Sequence, residues 1–207
     1  MDVLEKIFGG GHRVKIMRLF LFNPQTPFGV SEVASRAKVP LAKTKKEISD
    51  LKKTGMIKNK IFFKKVESGK KKARKKTKKI KGWVLNEKFH HLLPLQNLLV
   101  HIGDSQQREI VERIKRLGVV KLLIISGVFI GHWDSRVDIL IVGDKLRRSA
   151  TENLISQIEA EIGKEITYCV LETKDFLYRL DVYDKLVRDV LDCPHKKIIN
   201  KLEVDLG

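Results

Sequence analysis

Apolar positions in the first third of the chain recur at helical spacing. After Gly9, Gly10 and Gly11, the residues Val14, Ile16, Met17, Leu19, Phe20, Leu21 and Phe22 predict a strongly apolar first helix, with Arg13, Lys15 and Arg18 at its wetter positions. Asn23, Pro24 and Pro27 stop it. Ser31 is the expected N-cap of a short second helix over 32–37, whose Val33 and Ala34 face inward. Val39 and Pro40 form a turn, and a third helix is expected over 42–53. Leu41, Thr44, Ile48 and Leu51 recur at steps of three or four and give that helix a buried stripe, and Gly55 ends it at the C′ position. Lys43, Lys46, Glu47 and Asp50 then take outer positions, with Lys45 and Ser49 toward the flanks.

The period then changes. Residues 56–63 read as one strand, and residues 80–85, with Trp83, as its return partner. A linker helix is expected within 86–103, carrying Leu92, Leu93, Leu95, Leu98, Leu99, Val100 and Ile102, with Pro94 in its first turn. Residues 106–117 give a polar-faced helix with Ile110, Ile114 and Leu117 inward. The run 119–126 is a continuous apolar strand apart from Lys121, which places it inside a sheet. Strands at 137–142 and 166–171 flank a helix at 152–162. Helices at 174–179 and 183–191 precede a last one expected from about residue 196.

Charge separates these two halves. Residues 1–91 hold 25 Lys and Arg against 7 Asp and Glu, whereas residues 92–207 hold 17 against 18. The first half can attract phosphate along a duplex; the second has the balance of an ordinary folded domain. The densest stretch joins the two strands: Lys64, Lys65, Lys70, Lys71, Lys72, Arg74, Lys75, Lys76, Lys78, Lys79 and Lys81 face one acid, Glu67. Mutual repulsion disfavours a compact free loop there, so a basic hairpin arm that orders on a polyanion is expected.

The second and third helices, separated by a tight turn, have helix-turn-helix spacing. The outer face of the third helix is poor in Arg, Asn and Gln, which read bases bidentately. Lys43, Lys45 and Lys46 are better suited to phosphates. No strand carries the aromatic pair expected of an RNA-binding sheet. The basic half lacks one long helix with an apolar opposite face, which argues against a membrane surface. Cys169 and Cys193 form no disulfide framework, so a reducing, cytoplasmic setting is expected.

Residues 12–91 resemble the ArsR/MarR-type winged-helix regulators of prokaryotes. The inward pattern Val14, Met17, Val33, Ala37, Ile48 and Leu51 carries the resemblance, followed by Thr54-Gly55-Met56-Ile57 and the strand pair. It implies that 42–53 is a recognition helix and 64–81 a wing. The chain lacks the paired Cys or His/Asp of the metal-sensing members, so metal sensing is not carried over.

In the second half, Ser126-Gly127 and the segment from Asp134 through Arg136, Val137 and Asp138 to Val142 resemble a worn minimal nucleotidyltransferase core. In that family a Gly-Ser turn cradles phosphate, and two carboxylates two residues apart on a strand hold magnesium with a third from a later strand. The i,i+2 spacing puts both carboxylates on one sheet face. Here those positions are Arg136 and Asp138, and the turn order is inverted, so two metals would bind poorly. Glu172 is the candidate third carboxylate. Ser126, Gly127, His132, Arg136, Asp138 and Glu172 thus form a candidate phosphate or nucleotide site, with no catalytic or metal residue expected. The tail, with Phe176, Tyr178, Arg179, Tyr183, Asp184, Arg188, Asp189 and Pro194-His195, is similar to that of prokaryotic fusions of a winged helix with such a domain.

The expected architecture is therefore a two-domain α+β/α/β chain. It comprises an N-terminal winged helix-turn-helix (1–91), a linker helix (92–104) and a small nucleotidyltransferase-like α/β domain (105–207). The expected function is a homodimeric regulator of transcription that binds double-stranded DNA, with a non-catalytic sensor or dimerisation domain and no cofactor. Two alternatives stay open: a transferase using magnesium and a nucleotide, with a nucleic-acid-binding appendage, and an architectural or RNA-binding protein.

Overall fold

The computed structural model describes residues 3–66 and 76–202. They form a mixed α/β chain with two small sheets, divided into two compact units, Met1–Val100 with Ala160–Lys164 and His101–Glu159 with Glu165–Gly207.

The first unit runs α1 (Val3–Ile7), α2 (Gly11–Phe22), α3 (Val30–Ala37), α4 (Leu41–Lys53), β1 (Ile57–Val66), β2 (Lys76–Leu85) and α5 (Leu92–Leu99). Helix α2 buries Val14, Ile16, Met17, Leu19, Phe20 and Leu21 at nearly every azimuth, so it is the central element about which α3, α4 and α5 pack. Arg18 is buried as well, contrary to its expected wet position: its Nε donates to Leu99 O at 2.9 Å, placing a cation at the negative C-terminal end of α5. Phe20 meets Phe28 edge to face.

Three local expectations are corrected. Helix α3 starts at Val30 with Gly29, not Ser31, at the N-cap. Leu41, expected inward, is 44% exposed, whereas Val39 just before the helix is buried in the core. The hairpin is longer at its turn end than the apolar run suggested: β1 and β2 pair in continuous antiparallel register from Ile57↔Leu85 to Val66↔Lys76. Phe28 adds an antiparallel bridge to Trp83, each N–H donating to the other's carbonyl at 2.9 Å. Gly82 permits this approach, since a Cβ there would lie 2.4 Å from Phe28 O.

The second unit runs α6 (Asp104–Lys115), β3 (Val119–Ile125), β4 (Ile139–Asp144), α7 (Arg148–Ile162, as far as Glu159), β5 (Tyr168–Leu171), α8 (Thr173–Asp181), α9 (Lys185–Asp192) and β6 (Lys196–Asn200). The sheet order is β5-β4-β3-β6, with β4 parallel to β5 and the other pairs antiparallel. Leu122, Ile124, Leu140 and Val142 share one face with Phe176, Val187 and Val190 from α8 and α9. The alternate residues Leu123, Ile125, Ile139 and Ile141 are equally buried, and α6 packs against β3. Residues from 196 were expected to be helical and are instead β6. An apolar strand buried on both faces needs backbone partners along both edges, and the Ile198-Ile199 pair suits a strand. No helix among the described residues is long and apolar enough to cross a membrane.

Candidate nucleic-acid interface

Helix α4 is fixed by three devices. Thr44, fully buried, donates through Oγ1 to Pro40 O at 3.1 Å and closes the first turn. Ile48 and Leu51 sit in the core. Gly55, at φ +79°, ends the helix, and the Met56 N–H returns to Leu51 O at 3.1 Å. What remains outside is set by this anchoring.

Glu47 and Asp50, expected outward, turn instead toward α2. Arg13 Nε lies 2.7 Å from Glu47 Oε2 and Arg13 Nη2 lies 3.6 Å from Asp50 Oδ2. The stripe Lys45, Ser49 and Lys52, spaced i, i+4 and i+7, faces a cleft whose other wall is the hairpin. That cleft measures about 680 Å³ and is lined by Val30, Lys45, Ile48, Ser49, Lys52, Asn59, Ile61, Lys81, Gly82 and Trp83. Lys43 and Lys46 are also exposed on α4.

Pairing in the hairpin sorts its side chains. Asn59↔Trp83, Ile61↔Lys81 and Phe63↔Lys79 stand on one face, and Lys58↔Val84, Lys60↔Gly82, Phe62↔Ile80 and Lys64↔Lys78 on the other. Lys64 Nζ reaches Glu32 Oε1 of α3 at 2.8 Å, a half-exposed pair of the kind that contributes less than about 1 kcal/mol and that a polyanion can displace. Lys78, Lys79 and Lys81 are exposed. Lys65 and Lys76 fall on the far ends of the strands, and Lys70, Lys71, Lys72, Arg74 and Lys75 lie outside the described residues.

Sequence reasoning missed Lys52, Lys58 and Lys60, all exposed, and the apolar residues that share the cleft face. Ile61 is 53% exposed and Phe63 69%, and Trp83, on the other strand, stands on the same face. The two aromatic side chains of this face lie on different strands, with the row Ile61↔Lys81 between them.

In the second unit, the side chains of the candidate phosphate residues from Ser126 to Asp138 are bonded to other residues of the unit. Asp138, 6% exposed, accepts Val128 N–H at Oδ1 and Thr167 N–H at Oδ2, each at 2.9 Å. Gly127 turns the chain at φ +54°, where a Cβ would meet Asp138 Oδ1 at 1.9 Å. Ser126 Oγ donates to Pro194 O at 2.6 Å and lies 2.9 Å from Ser135 Oγ, which stands 3.3 Å from His132 Nδ1. Arg136 pairs with Asp189 of α9.

Glu172 is not brought to this group. It follows Leu171, which pairs with Val142, so it lies five residues along the parallel ladder from Asp138, or about 16 Å. Its backbone carbonyl accepts Phe176 N–H at the start of α8, while its side chain is exposed. Among the described residues no three His, Cys, Asp or Glu side chains gather as a metal site. Elsewhere in the unit, the Lys121 ammonium 3.0 Å from Asp144 and hydrogen bonds from Thr173 hold that carboxyl below its usual range. Burial pushes the Cys169 thiol up. The chain matches no protein-family model, and neither curated proteins nor solved structures yield a match.

Proposed function

We propose that the first unit is a winged-helix module that binds double-stranded DNA, and that the chain is a transcriptional regulator whose second unit is a non-catalytic sensor or dimerisation domain. One observation carries the reading: among the described residues the cleft is lined by Lys45, Lys52 and Lys81 and by no acid, with Lys79 one row further out on the same hairpin face, while Glu47 and Asp50 lie roughly half a turn round α4 from the cleft stripe and pair with Arg13. A surface of one sign releases counterions when it meets a duplex. The order of three helices, hairpin and the Phe28 bridge supports the winged-helix assignment.

The non-catalytic reading of the second unit is supported by Asp138. Both of its oxygens serve backbone amides, and Arg136 stands where a second carboxylate would be needed. Exposed Val3 and Ile7 on α1 and Leu93 and Leu98 on α5 offer apolar surface for the proposed homodimer. Sedimentation should then give twice the mass of the chain, and a monomer at micromolar concentration would count against it.

The experiment is a titration against a random pool of duplex DNA at two salt concentrations, with the bound fraction sequenced. If about five lysines neutralise phosphates, the logarithmic salt slope is about −4 to −5. Enrichment of a palindrome is expected for a dimeric regulator. Salt-sensitive binding without enrichment would make the protein architectural, and absence of binding would overturn the proposal.

A further inference from the structure

Phosphate binding does not account for the apolar half of the cleft. Ile61, in the cleft lining, is 53% exposed across from Lys81; Phe63, one row beyond it on the same face, is 69% exposed across from Lys79, and Trp83 lines the cleft from the other strand. A surface that met only duplex backbone would gain nothing from them, because the bases of a duplex are stacked on each other. We propose that this cleft binds an unpaired DNA strand, with bases laid against Trp83, Ile61 and Phe63 and phosphates along Lys45, Lys52, Lys79 and Lys81. The inference rests on reading this face as a nucleic-acid surface and adds an unpaired strand to the duplex proposed above.

Three features support a single strand. The rows Asn59↔Trp83, Ile61↔Lys81 and Phe63↔Lys79 are two residues apart, about 6.6 Å at strand rise. Stacked bases repeat every ~3.4 Å, so successive rows match a strand that has been stretched and unstacked. Next, the two rows Ile61↔Lys81 and Phe63↔Lys79 each set a lysine directly across from an apolar side chain, and Lys45 and Lys52 of α4 stand on the opposite rim. Bases lie inward and charges outward in such a strand, which is the arrangement used by single-strand grooves with aromatic platforms. Finally, the cleft of about 680 Å³ falls in the range of roughly 300–1,000 Å³ that takes organic ligands, and its floor is the apolar Val30, Ile48 and Trp83. An acidic amphipathic peptide would satisfy the charges, but it would not need flat rings at both ends of this face, Trp83 in the first row and Phe63 in the third.

The test uses the full chain carrying Trp133→Phe, so that Trp83 is its one tryptophan. Labelled short oligothymidylate, the matching oligouridylate, a duplex of equal length and a Glu-rich amphipathic peptide are titrated separately, following both anisotropy and Trp83 emission. Oligothymidylate should bind with saturable quenching of Trp83. Phe63→Ala should weaken it about tenfold, the loss of one stacked base, and leave duplex affinity within about twofold. Ile61→Ser serves as the second variant; both side chains are exposed, and circular dichroism checks that the fold is kept.

Anisotropy binding without a Trp83 response, or oligothymidylate affinity unchanged in both variants, would overturn the inference. So would tighter binding of the oligouridylate or of the peptide. Duplex binding with no oligothymidylate binding would sink this inference and leave the duplex reading standing; the reverse result would do the opposite.

Discussion

Arg13 of α2 holds Glu47 of α4 at 2.7 Å and reaches Asp50 at 3.6 Å, so one cation pairs with both carboxylates of α4, on the flank away from its cleft-facing side. The pairs are partly exposed and contribute little to stability. Their consequence lies in the field: freed, the two carboxylates would oppose an approaching phosphate.

Replacing Arg13 by Ala is therefore expected to weaken duplex binding several-fold while changing stability by less than about 1 kcal/mol. Binding titrations beside urea unfolding check this. A large loss of stability with unchanged affinity would show that Arg13 is a packing residue only.

Lys45→Ala, Lys52→Ala and Lys81→Ala should each weaken binding to duplexes of any sequence by a similar factor and reduce the salt slope by about 1. The measurement is affinity across a salt series for two unrelated duplexes. Sequence-dependent losses would mean that these lysines read bases.

Deleting residues 70–79, which carry much of the basic run, should lower affinity further and flatten the salt dependence. Unchanged affinity would sink the idea that this segment meets DNA.

Asp138→Ala leaves the Val128 and Thr167 N–H groups without their acceptor, and a cost of about 2–4 kcal/mol is expected by denaturant unfolding. Gly127→Ala should be comparably harmful, since its Cβ would collide with the same carboxylate. Magnesium-dependent nucleotidyl transfer by the native protein, abolished in a still-folded Asp138→Ala variant, would overturn the non-catalytic reading.

The Cys169 thiol, its pKa raised by burial, should alkylate more slowly in the folded protein than in urea. With Cys193 replaced by Ser, the pH profile of iodoacetamide modification should be displaced upward on folding. Because the folded pKa is the higher, the associated stability is complete below the unfolded thiol's pKa and is lost as pH rises through the folded value. Identical profiles in both states would contradict the burial.

The sequence by itself determined the elements whose periodicity is strong. The apolar α2, the Thr44-Ile48-Leu51 stripe of α4, the Gly55 stop and the apolar β3 follow from side-chain transfer and local backbone preference, which act over a few residues. The concentration of charge in residues 1–91 was equally legible. Tertiary structure decided whatever depends on partners distant in sequence. Arg18 became a buried residue because the end of α5 supplies a carbonyl, and 196–200 became a strand because β3 needed a second edge partner. Glu47 and Asp50 found a cation because Arg13 of α2 is within reach, and Phe63 came to share a face with Trp83 only through the hairpin register. Asp138 kept its place near the candidate turn, but its oxygens were committed by the amides of Val128 and Thr167, 10 and 29 residues away. Hydrogen bonds and ion pairs of this kind are fixed by where the chain brings a donor, and no local pattern encodes that position.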